Sequence, residues 1–173
     1  MSICASAAES EKVTNQQAET LTAWSLPDIH GEIVDFSPRV TPGYKIVLFW
    51  ATWCPYCKAL MPHLEAFRQK TAANMPIDDE KSAGPDTMQF LALNIWEDGE
   101  PEAYVAKTGF NFRLVLRADE VAKKYSVKGT PGLFLVNNQN EILYQRRSGT
   151  SPEQVITDLE FALANERSAR VEK

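Results

Sequence analysis

Two thiols stand two residues apart in Trp53-Cys54-Pro55-Tyr56-Cys57, a spacing at which a pair of cysteines can close a disulfide and reopen it. Thiol–disulfide exchange needs one exposed thiolate to attack, and a second thiol near enough to displace the partner from the mixed disulfide. The flanking sequence suits both tasks. Ile46-Val47-Leu48-Phe49-Trp50-Ala51 is an unbroken apolar run of the kind a strand covered on both faces requires. After the pair, Leu60, Met61, Leu64 and Phe67 recur at helical spacing. Cys54 therefore falls at a helix N-terminus, where unpaired backbone N–H groups and the macrodipole favour an anion. Such positions lower a cysteine pKa from about 8.5 by roughly one to five units. Cys54 is expected to stand exposed at the helix mouth as the attacking thiol, with Cys57 one turn deeper and shielded as the resolving one.

Two plainer chemistries compete for the pair. Cys-x-x-Cys is also half of a tetrahedral zinc site, but closing one takes two more ligands, and the chain offers only Cys4, His30 and His63. No metal site is expected; His63 reads as a solvated helix residue and His30 as a turn residue. A purely structural disulfide is the other alternative. Trp53 reads as a surface contact beside the thiols and Trp50 as core. Trp96 follows a strand at its C-terminal end, where α/β proteins place ligand contacts.

The elements that must position the pair alternate along the chain, which favours an α/β sandwich with a mixed sheet. A hairpin from Trp24 to Phe36 turns at His30-Gly31, with Ile33, Val34 and Phe36 on its second strand. A central strand follows at Lys45–Trp50 and a helix at Pro55–Lys70, which Pro62 should kink. Residues 74–87 are a polar connection. Phe90–Ile95 is the next strand, Glu100-Pro101-Glu102 opens a helix that Gly109 closes, and Leu114–Leu116 is a short strand. Asp119 is expected to cap a short helix reaching Tyr125. Leu133–Val136 and Ile142–Gln145 form a hairpin, and Ser151-Pro152-Glu153-Gln154 supplies a cap, a helix-starting proline and a capping-box glutamine for a last helix through about Arg167.

Lys128-Gly129-Thr130-Pro131-Gly132 leads straight into Leu133-Phe134-Leu135-Val136. With Ala51-Thr52-Trp53 before the first cysteine and Pro62 after the pair, this order of motifs resembles the thioredoxin superfamily from about Lys45 to the C-terminus. The segment Leu26-Pro27-Asp28-Ile29-His30-Gly31-Glu32, the Ala-Thr-Trp-Cys lead-in and an insertion after Asn94-Ile95 look most like its exported, TlpA-like branch. The resemblance implies a thioredoxin fold: a central mixed sheet flanked by helices, with an N-terminal hairpin and a strand/helix insertion. It implies a cis bond at Thr130–Pro131, whose backbone would pair with an extended substrate peptide. Cys54 and Cys57 would be catalytic, with Trp53, Pro55, Tyr56, Thr130 and Pro131 binding substrate. Pro55-Tyr56 is the pair familiar from glutaredoxins, which implies a potential less reducing than thioredoxin's, near about −270 mV. The glutaredoxin Gly-Gly-Asp pattern does not follow Pro131, and the peroxiredoxin lead-in is absent before Cys54.

The chain departs from the family at two positions. Thioredoxins carry a buried acid six residues before the first cysteine, here Leu48. Many TlpA-like proteins carry a glutamate three residues after the second, here Leu60. Glu97 and Asp98, just past a strand end, are the nearest substitutes by order along the fold.

Length and composition bound the rest. With 173 residues, 44% apolar and 24% charged, the chain fits one domain with a sizeable core, expected over 21–173 after a flexible lead at 1–20. Residues 1–7 read as an ordinary terminus or as the remnant of a signal peptide, since Ala5-Ser6-Ala7 has the form of a cleavage site. Cys4 could suggest lipid attachment, but Ile3 is a poor neighbour for it. A net charge of −5 argues against nucleic acid as partner. No apolar run approaches the about 18 residues of a spanning helix. The sequence thus predicts a monomeric, exported thiol–disulfide oxidoreductase, with cytoplasmic residence as the alternative. It would work through its own dithiol without another cofactor, on protein thiols or disulfides, and a membrane thiol–disulfide protein is a candidate donor. Reduction of substrates is the favoured direction. A dithiol oxidase and a non-catalytic binding module of the same fold are the rivals.

Overall fold

Apolar strand runs and amphipathic helices assemble as their periodicities require in a computed structural model, which describes residues 19–38, 43–77, 84 and 86–171. The elements in chain order are β1 (Trp24–Pro27), β2 (Ile33–Phe36), β3 (Tyr44–Trp50), α1 (Pro55–Ala72), β4 (Met88–Asn94), α2 (Pro101–Thr108), β5 (Arg113–Val115), α3 (Asp119–Lys124), β6 (Gly132–Val136), β7 (Ile142–Gln145) and α4 (Pro152–Val171). Among the described residues β1 and β2 pair as a separate hairpin, and the main sheet has the order β5-β4-β3-β6-β7. β3 lies parallel to β4 and antiparallel to β6, so the sheet is mixed, as expected. The expected insertion is α2 and β5.

β3 is buried along its whole length, and its two-residue period splits the core. Ile46, Leu48 and Trp50 face a cluster built with Leu60, Leu64 and Phe67 of α1 and Val155 and Leu159 of α4. Val47 and Phe49 face the opposite cluster with Trp24 and Phe36 of the hairpin and Val121 of α3. The hairpin therefore lies across one face of the sheet. Asp28 ties it down: its carboxylate accepts the His30 and Glu32 N–H groups and pairs with Arg113 of β5 at 2.8 Å. α2 ends in Gly109 at φ 69°, the left-handed turn expected there.

Four local expectations are corrected. Asp119 does not cap α3. Ala118 holds that position because its N–H is bonded to the Asn94 carbonyl, and the Asp119 carboxylate turns instead to the Trp96 N–H at 3.0 Å. β5 starts one residue earlier than expected because Leu91 of β4 pairs with Arg113. At α4, Ser151 Oγ accepts the Gln154 N–H at 3.2 Å, but the Gln154 side chain donates to Asp158 rather than back to the cap. α4 also continues past Arg167 to Val171.

Of the segment 1–20, only Glu19 and Thr20 are described. Their backbone runs along β7, with the Glu19 carbonyl accepting the Ile142 N–H at 2.8 Å. Cys4, the residues 1–7 read as a processing remnant, and positions 78–83 and 85 of the polar connection lie outside the described residues.

Candidate active site

β3 ends at Trp50 and α1 begins at Pro55, so Cys54 falls in the N-cap position, with its N–H bonded to the Ala51 carbonyl at 3.2 Å. Its Sγ accepts the Cys57 N–H at 3.1 Å, one of the donors that a helix start leaves without a partner. Pro55 occupies the first helical position, where a missing N–H costs nothing. Cys54 and Cys57 are joined as a disulfide with Cα atoms 5.3 Å apart. Cys57 is fully buried, as expected. Cys54 is not exposed, contrary to expectation: its accessibility is 1%. In this oxidised form the Cys54 sulfur bonds Cys57 on the inward face of α1, and both sulfurs join the core cluster with Trp50, Leu60 and Leu64. Pro55 and Tyr56 stay exposed on the outer face.

Thr130 and Pro131 precede β6, and their peptide bond is cis. Gly132, the next residue, pairs with Phe49, which brings Thr130-Pro131 to the end of the sheet where β3 runs out toward Cys54. Arg146 donates to the Pro131 carbonyl at 3.4 Å and to the Thr150 carbonyl at 3.0 Å, linking this loop to the segment before α4. Trp53 is half exposed and its indole N–H donates to the Trp96 carbonyl at 2.7 Å. Trp50 is core, tilted against Tyr104 with ring centroids 5.6 Å apart.

Glu97 is placed differently from a free base. Its carboxylate accepts the Thr52 N–H at 2.8 Å, the Thr52 hydroxyl at 2.5 Å, the Asn94 amide at 2.6 Å and the Gly99 N–H at 2.9 Å. Burial pushes its pKa up, but the bonds from Thr52 and Asn94 and the two backbone donors outweigh that and hold it at about 2. A carboxylate so fully engaged is a poor proton acceptor near neutral pH. Glu97 instead fastens the loop after β4 to Thr52, two residues before Cys54. Leu48 and Leu60 are both buried in the cluster that holds the disulfide, so apolar side chains fill the places where relatives carry an acid. Sequence reasoning gave Thr52, Asn94 and Arg146 no part in the site and read Asp119 only as a helix cap. For Asn94 a signal existed, since a polar residue closing an apolar strand run is a candidate for building the adjoining loop.

A dithiol set where a central strand meets a helix, with the Thr130-Pro131 loop at the same end of a mixed sheet, defines a thioredoxin-fold redox protein. The chain belongs to the thioredoxin-like family, whose sequence profile matches residues 43–142. It is similar to thiol-disulfide oxidoreductase ResA of Halalkalibacterium halodurans, at 27% identity over 136 residues, covering 75% of this chain and 68% of that protein. Among solved structures, StoA from Bacillus subtilis superposes with a TM-score of 0.59 at 21% identity, over 80% of this chain and 97% of StoA. A thiol-disulfide oxidoreductase from Bacteroides fragilis superposes with a TM-score of 0.63 at 21% identity, over 82% of this chain and 98% of that one. The two superpositions speak to the fold. With the bonded Cys54–Cys57 pair, the family and the curated relative fit a cysteine–cysteine redox function.

Proposed function

We propose that the chain is a thiol–disulfide oxidoreductase that reduces protein disulfides, with Cys54 as nucleophile and Cys57 as resolving thiol. The observation that carries this is the Cys54–Cys57 pair at the N-terminus of α1, with the Cys57 N–H already directed at the Cys54 sulfur. In the reduced protein that N–H and the helix start stabilise a Cys54 thiolate. The thiolate attacks a substrate disulfide; a bond forms between Cys54 and one substrate sulfur, and the other leaves as a thiolate that takes up a proton. Cys57, once deprotonated, attacks the Cys54 sulfur, restores the internal disulfide and releases the second substrate thiol. Two electrons pass to the substrate, so no cofactor beyond the dithiol is needed, and a separate dithiol donor must recharge the pair.

Trp53, Pro55, Tyr56 and the Thr130-Pro131 backbone are assigned to substrate contact by their place around the pair. Action as a monomer in an exported compartment, with a membrane thiol–disulfide protein as donor, rests on the resemblance to the TlpA-like branch. The decisive experiment is insulin reduction driven by dithiothreitol, repeated with Cys57→Ser. The parent should precipitate insulin chains well above the uncatalysed rate. The Cys57→Ser protein should accumulate a mixed disulfide visible on non-reducing gels, whereas Cys54→Ser should not. Equal trapping by both variants would refute the assigned roles, and an inactive parent would favour the binding-module reading.

A further inference from the structure

Large apolar side chains left in water gather at one place on this surface. Trp53, Tyr56 and Trp96 are 49%, 72% and 41% exposed, and among the described residues only Ile33 and Phe161 join them in that class. Single exposed hydrophobics are ordinary and call for no explanation. Here Trp53 and Tyr56 flank Cys54 in sequence, and Trp96 is brought to them by folding, through its carbonyl on the Trp53 indole N–H.

The backbone of Trp96 supplies an independent observation. Its φ is 50°, the left-handed region that a bulky residue enters only at a cost. Several ties hold it there. Asp119 accepts its N–H at 3.0 Å, Trp53 donates to its carbonyl, and Glu97, the next residue, is bonded to both the N–H and hydroxyl of Thr52. Strain that the surroundings over-determine is found where a side chain must be aimed. The indole is not fully used to fill a core, so its aim is outward.

We propose that Trp96 is a specificity-determining residue that contacts the protein substrate beside Trp53, and that Asp119 is its positioning residue. This rests on the oxidoreductase reading. A polypeptide joined to Cys54 has its cysteine fixed at that sulfur, so the residues flanking that cysteine must lie over the surface next to it. The exposed apolar faces there belong to Trp53, Tyr56 and Trp96. A held indole loses little freedom on contact, and tryptophan is enriched among residues that dominate binding energy. The favoured substrate segment carries an apolar or aromatic side chain near its reactive cysteine. A small disulfide without polypeptide flanks gains nothing from Trp96.

The test compares insulin with hydroxyethyl disulfide as substrates of the full chain. Trp96→Gly removes the indole while keeping a residue at ease at positive φ. It should lower the ratio of kcat/KM for insulin to that for the small disulfide by at least about fivefold, through KM, the scale of one interface contact that matters to binding. Trp96→Phe should restore most of the ratio. Asp119→Ala should lower it in the same direction, and Asp119→Asn, whose amide oxygen can still accept the Trp96 N–H, should recover it. A ratio within about twofold of the parent for Trp96→Gly, or a fall carried by kcat alone, overturns the inference while the oxidoreductase reading stands. A parent inert toward both disulfides overturns that reading, and this inference with it.

Discussion

Protonation matters at two residues of the site, for stability at Glu97 and for turnover at Cys57. Glu97 titrates lower in the folded protein than in the unfolded chain, where a glutamate has a pKa near about 4.3. Its contribution to stability is therefore complete above that value and is lost as pH falls through about 2. Asp28 and Glu65 are also shifted down despite their burial, by bonds led by those from Arg113 and Arg68 respectively, and add to the same acid sensitivity. Glu97→Gln turns an amide toward donors on Thr52 and Asn94, so it should lower the urea midpoint at pH 7, and the loss relative to the parent should shrink as pH falls from about 4.5 toward 2. A pH-independent difference between the two proteins would contradict the assigned role. Cys57 faces the reverse problem. Burial among apolar groups disfavours its thiolate, and Leu48 and Leu60 provide no acceptor. Release of substrate from Cys54 should therefore limit turnover and speed up by about tenfold per pH unit while the thiol remains protonated. Leu60→Glu should accelerate it near neutrality if the fold tolerates the buried acid. Stopped-flow resolution of a mixed disulfide checks both points, and a rate flat from about pH 6 to 9 would show that deprotonation of Cys57 is not limiting.

Two helices do most to hold this site at the level of elements. α1 presents the dithiol at its first turn and buries Leu60, Leu64 and Phe67, so the orientation of the cysteines follows from the packing of that apolar face against β3 and β4. α4 packs on the same side, with Val155 and Leu159 fully buried and Lys70 of α1 paired with Glu160 at 2.6 Å. That exposed pair adds little, since such contacts contribute about 0–1 kcal/mol. The cap matters more. Ser151→Ala removes the acceptor of the Gln154 N–H and should cost about 1 kcal/mol of stability, read as a lower denaturant midpoint with an unchanged slope. Because Ser151 is exposed at the start of α4, a helix that packs on α1 and β7, insulin reduction at 25 °C should remain within about twofold of the parent, as expected for a substitution that leaves the folded population near unity.

Across the whole molecule, the hairpin is tied to the sheet through a buried polar contact. Lys45 of β3 is fully buried, donates to Asn140 Oδ1 at 3.0 Å and lies 5.3 Å from the centre of the Phe36 ring. Asn140 has φ 60° in the turn between β6 and β7, and its amide lies 3.5 Å from the Phe36 carbonyl. Tyr125, its hydroxyl donating to the Thr22 carbonyl at 2.7 Å, fastens the same region from α3. Asn140→Gly preserves the backbone conformation and removes only the side chain that joins these parts. It should destabilise the protein by roughly 1.5–3 kcal/mol, the scale of a hydrogen bond to a charged group, and hydrogen exchange should quicken in β1 and β2 before β3 and β4. Uniform exchange across all strands would show that the hairpin is not a separate stability unit.

Much of this architecture was legible along the chain because it depends on local order. The apolar run before Cys54 and the helical spacing after it place the pair at a strand–helix junction, and the positions of Pro101, Gly109 and Ser151 mark helix ends through backbone geometry that a few residues dictate. Which face each strand buries follows from a period of two. The burial of the Cys54 sulfur, the conversion of Glu97 from a candidate base into a clamp on Thr52, and the transfer of Asp119 from helix cap to partner of Trp96 were not legible. Each depends on donors and acceptors that lie far apart in sequence and meet only when β3, β4 and the start of α3 pack side by side. A carboxylate reads the same in any sequence, whereas its role is set by which N–H groups the folded backbone brings within hydrogen-bonding distance.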